Sequence, residues 1–356
     1  MEKLNSILKS NELSGFRAYG EYHLGGKYVR EFEREFRSYF KVKYAISMNS
    51  ATACLHSALV SCGVGVGDEV IVTPYSFSSS ASCVLMAGAT PIFADIEDET
   101  FCIDPSKIKK LITSKTKAII PVHLMGHPAD MDRIKGILWN YRTFQGQKIF
   151  IIEDCAQAIG ATYHSNYVGT IGDCGVFSFN QSKHINTGEG GMLITNDDKI
   201  ADRARAVRNH GELSRPELKV LGYNYRMTEI EACIGLDRFK NINELIDIRI
   251  RNAEQLTKGL NGIVTTPVIK PDCKHVFNYY ALKVKNKERF CEELGKKGIY
   301  FGAYVKPLYL LPIYGYGEGL CPVAERMWKD EFVMTDIIKY KDLDIERVVR
   351  ALQGMV

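Results

Sequence analysis

Seven short runs of apolar, strand-favouring residues recur through the first 195 positions of the chain, with helix-type stretches between them. The runs lie at 44–48, 69–73, 91–95, 117–123, 148–153, 175–179 and 192–195. Segments such as AIIPV and IFII are nearly continuous in apolar character and do not alternate with polar residues. A strand reads this way when both of its faces are covered, as in a parallel sheet with a helix layer on each side. The stretches 52–62, 79–87 and 105–112 have helical composition. This alternation predicts an α/β fold, a mostly parallel seven-stranded sheet sandwiched by helices. The pattern weakens near residue 240. A Lys/Arg/Asn-rich helical stretch at 239–259 then leads to a strand at 279–284, a helix at 287–298 and a last helix near 345–352. The expected division is a large domain, 1–240, and a smaller α+β domain, 241–356.

Composition narrows the function. A chain of 356 residues can bury two cores without disulfide or metal support. Its net charge is only +4, and no dense Lys/Arg stripe appears, which argues against nucleic acid as partner. None of the ten cysteines forms a C-x-x-C pair, so they read as reduced thiols of a cytoplasmic protein. The opening MEKLNSILKSNELSGF lacks the apolar region of a signal peptide, and no apolar run approaches the ~20 residues that span a bilayer. No metal site is expected. The eight histidines contain no H-E-x-x-H, and Gly126 and Pro128 break any helix face shared by His123 and His127.

Ligands of such sheets gather at the loops beyond the carboxyl ends of the strands. The richest of these loops is 177–191, FSFNQSKHINTGEGG, which carries Lys183 ahead of three glycines at 188, 190 and 191. A lysine there can form a Schiff base with a carbonyl compound if desolvation or nearby positive charge lowers its ordinary pKa of about 10.4. The alternative is a solvated loop lysine. In IIEDCAQAIG, 151–160, an acidic pair closes an apolar strand, and Asp154 is expected just past the strand end. A carboxylate there can keep a pyridine nitrogen protonated, or it can cap a following helix. MNSATACL, 48–55, turns from strand to helix through small hydroxyl residues, a geometry that binds phosphate or is simply capped by Ser50. PYSFSSS, 74–80, repeats it and offers Tyr75 and Phe77 for stacking or for core packing.

Taken together, these segments resemble the DegT/DnrJ/EryC1/StrS aminotransferases. The resemblance runs from about residue 25 to 325, through VGDEVIVTPYSF, GATPIFADI, EDCAQAIGA, SKHINTGEGG and GYNYRMTEIEA in order. It implies the aspartate-aminotransferase fold type, pyridoxal phosphate as cofactor, and an amino group moved from glutamate or glutamine to a keto sugar, mostly nucleotide-linked, for surface polysaccharide or secondary-metabolite synthesis. By the same resemblance Lys183 would hold the cofactor as a Schiff base, Asp154 would pair with its pyridine nitrogen, Gln157 would bond its ring hydroxyl, and Phe77 would stack on the ring. Ala51, Thr52 and Ser178 would hold the phosphate. Asn224 would reach the cofactor of a second subunit, in a homodimer with shared sites. Tyr22, His23, His184, Lys306 and Tyr309 are the candidates for substrate contact. Three features depart from the family pattern. Ser50-Ala51-Thr52 stands where Ser-Gly-Thr is usual, His184 where Asn is common, and Tyr309 where many sugar aminotransferases carry His. Lys183 itself sets the chain apart from the dehydrase branch, which has His at that place. Two alternatives stay open: an aminotransferase for a small ketone (an inosose or a phosphorylated ketose), and a non-catalytic regulatory protein that binds the cofactor.

Overall fold

A computed structural model describes residues 2–16, 20–146, 148–213, 220–337 and 342–354. Its strands are β1 (Tyr44–Met48), β2 (Glu69–Val72), β3 (Thr90–Phe93), β4 (Thr116–Ile120), β5 (Phe150–Asp154), β6 (Thr162–Tyr163), β7 (Asn166–Tyr167), β8 (Cys174–Ser178), β9 (Gly191–Thr195), β10 (Cys273–Lys274), β11 (Tyr280–Lys283) and β12 (Phe332–Thr335). The main sheet has seven strands in the order β1-β9-β8-β5-β4-β2-β3. Strands β3, β2, β4, β5 and β8 pair in parallel, while β9 runs antiparallel to both β8 and β1. All seven expected runs are therefore strands of one mostly parallel α/β sheet. The fourth stops earlier than expected, at Ile120, because Pro121 has no N–H to continue the ladder. Its carbonyl still accepts the Asp154 N–H at 2.9 Å, so β4 and β5 stay together to the end of β5.

The two faces of the sheet feed two cores. Ile46, Met48, Val176 and Leu193 point into one, which the helices Ala51–Ser61 and Ser79–Met86 cover. Ala45, Phe177, Met192 and Ile194 point into the other. There the helix Lys27–Phe40 lays down Phe32, Phe36 and Phe40 at four-residue spacing, one stripe of its surface. A third core packs the helices Ile242–Leu260, Lys287–Lys296 and Asp342–Gln353 on the antiparallel pair β11–β12. The segment before β12 returns to the main sheet, where Leu308, Tyr309, Cys321 and Met327 join the first core. All ten cysteines are thiols, and among the described residues no helix is long and apolar enough to cross a membrane.

One buried ion pair ties the sheet edge to two helices. Arg208, fully buried, donates to Glu33 Oε1 at 2.7 Å and to the Ser47 carbonyl at 3.1 Å. The same carboxylate oxygen accepts the Ser47 N–H at 2.8 Å and its hydroxyl at 2.9 Å. Glu33→Ala would strand the guanidinium in the interior. A loss of about 3–5 kcal/mol in unfolding free energy is expected from urea denaturation, with a smaller loss for Glu33→Gln.

Candidate active site

The carboxyl ends of β2, β5 and β8 and the start of the helix Ala51–Ser61 surround a cavity of about 450 Å³. Ala51, Thr52, Phe77, Asp154, Gln157, Ser178 and Lys183 all line it. A wider opening of about 960 Å³ lies beside Lys285, Arg289 and Glu331 and contains none of these residues.

Lys183 sits on a turn that leaves β8, with its N–H on the Asn180 carbonyl at 2.9 Å. Burial lowers the pKa of its amine to about 8, the charge of Asp154 opposes this, and Arg249 assists it. Among the described residues no carboxylate lies within ion-pair distance of the amine. A neutral, nucleophilic amine is therefore accessible near physiological pH, which a solvated lysine would not offer.

Asp154 is the last residue of β5 and does not lie beyond it. No helix follows: the chain turns through 155–161 into β6, so the capping alternative for Asp154 falls away. Its Oδ2 accepts the Ser80 hydroxyl at 2.7 Å, and its Oδ1 accepts the Ala156 N–H at 3.1 Å. Ser76 stands behind Ser80, hydroxyl to hydroxyl at 2.8 Å. Burial raises the proton affinity of this carboxyl, and the two hydrogen bonds and the charge of Lys183 work against it.

The neighbouring Glu153 faces the other way. Its oxygens accept the N–H groups of Gly169 at 2.8 Å, Ile171 at 2.8 Å and Gly172 at 2.6 Å, and His123 Nε2 at 3.0 Å. His123 Nδ1 accepts the Ala129 N–H at 2.9 Å, so Nε2 carries the proton and donates to Glu153. Glu153, His123 and Cys155 lie close enough together to suggest a metal. The four donors on Glu153 explain the cluster as the brace of the 169–172 loop instead.

At the opposite wall, Ser50 caps its helix by accepting the Ala53 N–H at 3.1 Å, and its carbonyl accepts the Cys54 N–H. The N–H groups of Ala51 and Thr52 have no carbonyl of their own helix to bond, which leaves them for an anion. Phe77 keeps 62% of its surface exposed at the cavity wall, an aromatic face open to a flat ligand. The Gln157 amide is buried and donates to the Tyr304 hydroxyl at 3.1 Å.

The remaining candidates do not line the cavity. Tyr309 is fully buried, its hydroxyl bonded to Glu325 and accepting the Cys321 N–H at 3.2 Å, so it holds the 309–325 segment together. His184 is buried on the far side of its own turn, bonded through Nε2 to the Val276 carbonyl at 3.0 Å, and burial lowers its pKa to about 3. Both positions correct the expectation of substrate contact: side chains enclosed in this way have no free face for a ligand. Lys306 is exposed, with its amine over the Trp328 ring at 5.4 Å. Tyr22 is exposed, and the His23 carbonyl accepts from Arg208 at 3.2 Å. Asn224 is exposed, and its carbonyl accepts from Asn49 at 3.3 Å. The cavity also holds residues that sequence reasoning passed over, notably Ser80, Tyr279 and Tyr304. Ser80 was one of three consecutive serines, and only the helix phase selects it. Tyr304 and Tyr279 come from the C-terminal third of the chain, where no motif marks them.

An amine of lowered pKa, a buried carboxylate, an amide donor, an open aromatic face and a helix N-terminus suit a phosphorylated aromatic aldehyde with a basic ring nitrogen. The residues present therefore fit pyridoxal phosphate. With the Lys183 amine at about 8, the rate at which apoprotein captures this aldehyde should rise about tenfold per pH unit at low pH and level off above about pH 8. Stopped-flow absorbance measures it; a rate still climbing steeply at pH 10 would mean an unperturbed lysine.

Comparison with known proteins gives the same answer independently. The family model for the DegT/DnrJ/EryC1/StrS aminotransferase family matches residues 9–353. GDP-perosamine synthase of Caulobacter vibrioides is 37% identical over 342 residues, covering 93% of this chain and 91% of that protein. The crystal structure of S. venezuelae DesV in complex with a ketimine intermediate superposes with a TM-score of 0.91 at 29% identity, over 99% of this chain and 93% of that one. The PLP form of the Streptococcus pneumoniae putative sugar aminotransferase Spr1654 gives a TM-score of 0.90 at 27% identity, over 99% and 94%. The protein is a pyridoxal-phosphate-dependent aminotransferase, and it belongs to the DegT/DnrJ/EryC1/StrS family.

Proposed function

We propose that the enzyme moves an amino group from glutamate or glutamine to the keto group of a nucleotide-linked sugar. The observation that carries the catalytic part is the convergence of Lys183, Asp154 and Gln157 on one cavity with a helix N-terminus at its wall. The sugar part is supported by the relatives, GDP-perosamine synthase among them. The cofactor supplies an aldehyde that takes up the amine and a ring that accepts electrons.

The protein's own groups do the rest. Lys183 would hold the cofactor through its amine, and as a free base of pKa about 8 it would carry the proton away from the donor's α-carbon. Asp154 would pair with the ring nitrogen and keep it protonated, with Ser80 and the Ala156 N–H holding the carboxylate in place. The Ala51 and Thr52 N–H groups and the Ser178 hydroxyl would bind the phosphate, and Phe77 would cover one ring face. Asn224, exposed and outside the cavity, would serve the phosphate of a second subunit, which makes the working unit a homodimer with shared sites. The ten thiols support a reducing, cytoplasmic setting.

Lys183→Ala is expected to lower turnover by at least about 10²–10⁴-fold and to abolish the visible band of the bound cofactor. Asp154→Asn should keep the band and lose about 10²–10³ in turnover. The substrate is tested by offering glutamate or glutamine with nucleotide keto sugars, inososes and small keto phosphates. Amination of the last two alone would move the assignment to a small-ketone enzyme.

A further inference from the structure

Gln157 has no freedom in how it presents its amide. Its Oε1 accepts the Met125 N–H at 2.8 Å, and its Nε2 donates to the Tyr304 hydroxyl at 3.1 Å. A backbone N–H can only donate, so Met125 fixes the oxygen end. The nitrogen carries two hydrogens. Tyr304 takes one, and the other remains for the cavity that both residues line. The turn that supplies Met125 is itself pinned. Met125 is left-handed at φ 56, its carbonyl accepts the Asn278 N–H at 2.7 Å, and Gly126 follows at φ 100. A Cβ on Gly126 would come within 2.9 Å of the Phe277 nitrogen, so this turn cannot slide away.

Tyr304 reaches the site from a different part of the chain. Its ring packs edge-on to Tyr75 at 5.2 Å and tilted against Phe332 at 6.0 Å. The backbone just before it is bridged to β12 by Gly302 and Met334. The ring is thus fixed by apolar packing, and only its hydroxyl addresses Gln157.

We propose that Tyr304 is a positioning residue for the cofactor: it holds Gln157 as a donor toward the cofactor's ring oxygen and so lowers the pH at which the bound chromophore titrates. This rests on the reading that Gln157 meets that oxygen. A donor stabilises negative charge on the ring oxygen most when the neighbouring nitrogen has lost its proton. Losing or loosening the donor therefore raises the proton affinity of the chromophore.

The test uses holoenzyme and the pH midpoint of its visible absorption band, in wild type, Tyr304→Phe, Gln157→Ala and the double variant. Tyr304→Phe keeps the ring packing, and the unfolding temperature of each apoprotein checks the fold. The midpoint should move up by about half a unit to one unit in Tyr304→Phe, and at least as far in Gln157→Ala. In the Gln157→Ala background the tyrosine substitution should add nothing. A shift for Gln157→Ala with none for Tyr304→Phe would overturn the role of Tyr304 and leave that of Gln157 intact. An equal tyrosine shift in both backgrounds would also overturn it, since Tyr304 would then act by another route. No shift for Gln157→Ala would instead remove the underlying assignment of Gln157.

Discussion

Glu153 and Asp154 are consecutive residues of β5, so their side chains leave opposite faces of the sheet. Both are buried, and each needs partners for its charge. Glu153 finds them in three backbone N–H groups of the 169–172 loop and in His123, which fixes how β8 enters the sheet and how the 123–129 turn lies over it. Asp154 finds, among the described residues, only Ser80 and the Ala156 N–H and keeps its open side toward the cavity. One carboxylate is saturated and structural; its neighbour is incompletely satisfied and available to a ligand. The site depends on that difference, because Lys183, Ser178 and the 123–126 turn are all positioned by elements that Glu153 braces.

The electrostatics of the cavity follow from the same enclosure. Burial acts on Lys183 and Asp154 in opposite senses, lowering the proton affinity of the amine and raising that of the carboxyl. Their mutual charge works against both shifts but does not close into a contact ion pair. A direct pair would hold the amine protonated and leave it a poor nucleophile. Both groups stay open to the cavity that they line, where a ring could meet each of them.

Much of this architecture was legible in the chain. The near-continuous apolar runs gave all seven strands of the main sheet, strand-end reasoning singled out Lys183, Asp154 and Phe77, and the family resemblance added Gln157, Ala51, Thr52 and Ser178; these residues share one cavity. These residues lie at strand ends or in the loops that follow them, so local pattern carries them to the right edge of the sheet. Tyr309 was misjudged and Tyr304 overlooked for one reason. In YVKPLYLLPIY the two tyrosines differ only by a turn of irregular backbone, and no hydrophobic period tells which ring meets the core and which meets the site.

The sequence by itself determined the sheet, the strand ends where chemistry gathers, and the lysine and carboxylate that define the reaction class. These depend on short-range pattern: apolar runs, glycines and polar residues at their ends. Only the tertiary structure decided which neighbours complete the site. Ser80 behind Asp154, Tyr304 beside Gln157, and the enclosure that lowers the Lys183 pKa all arise where segments far apart in the chain come together. Burial and hydrogen-bond geometry are properties of that meeting, and no single segment carries them.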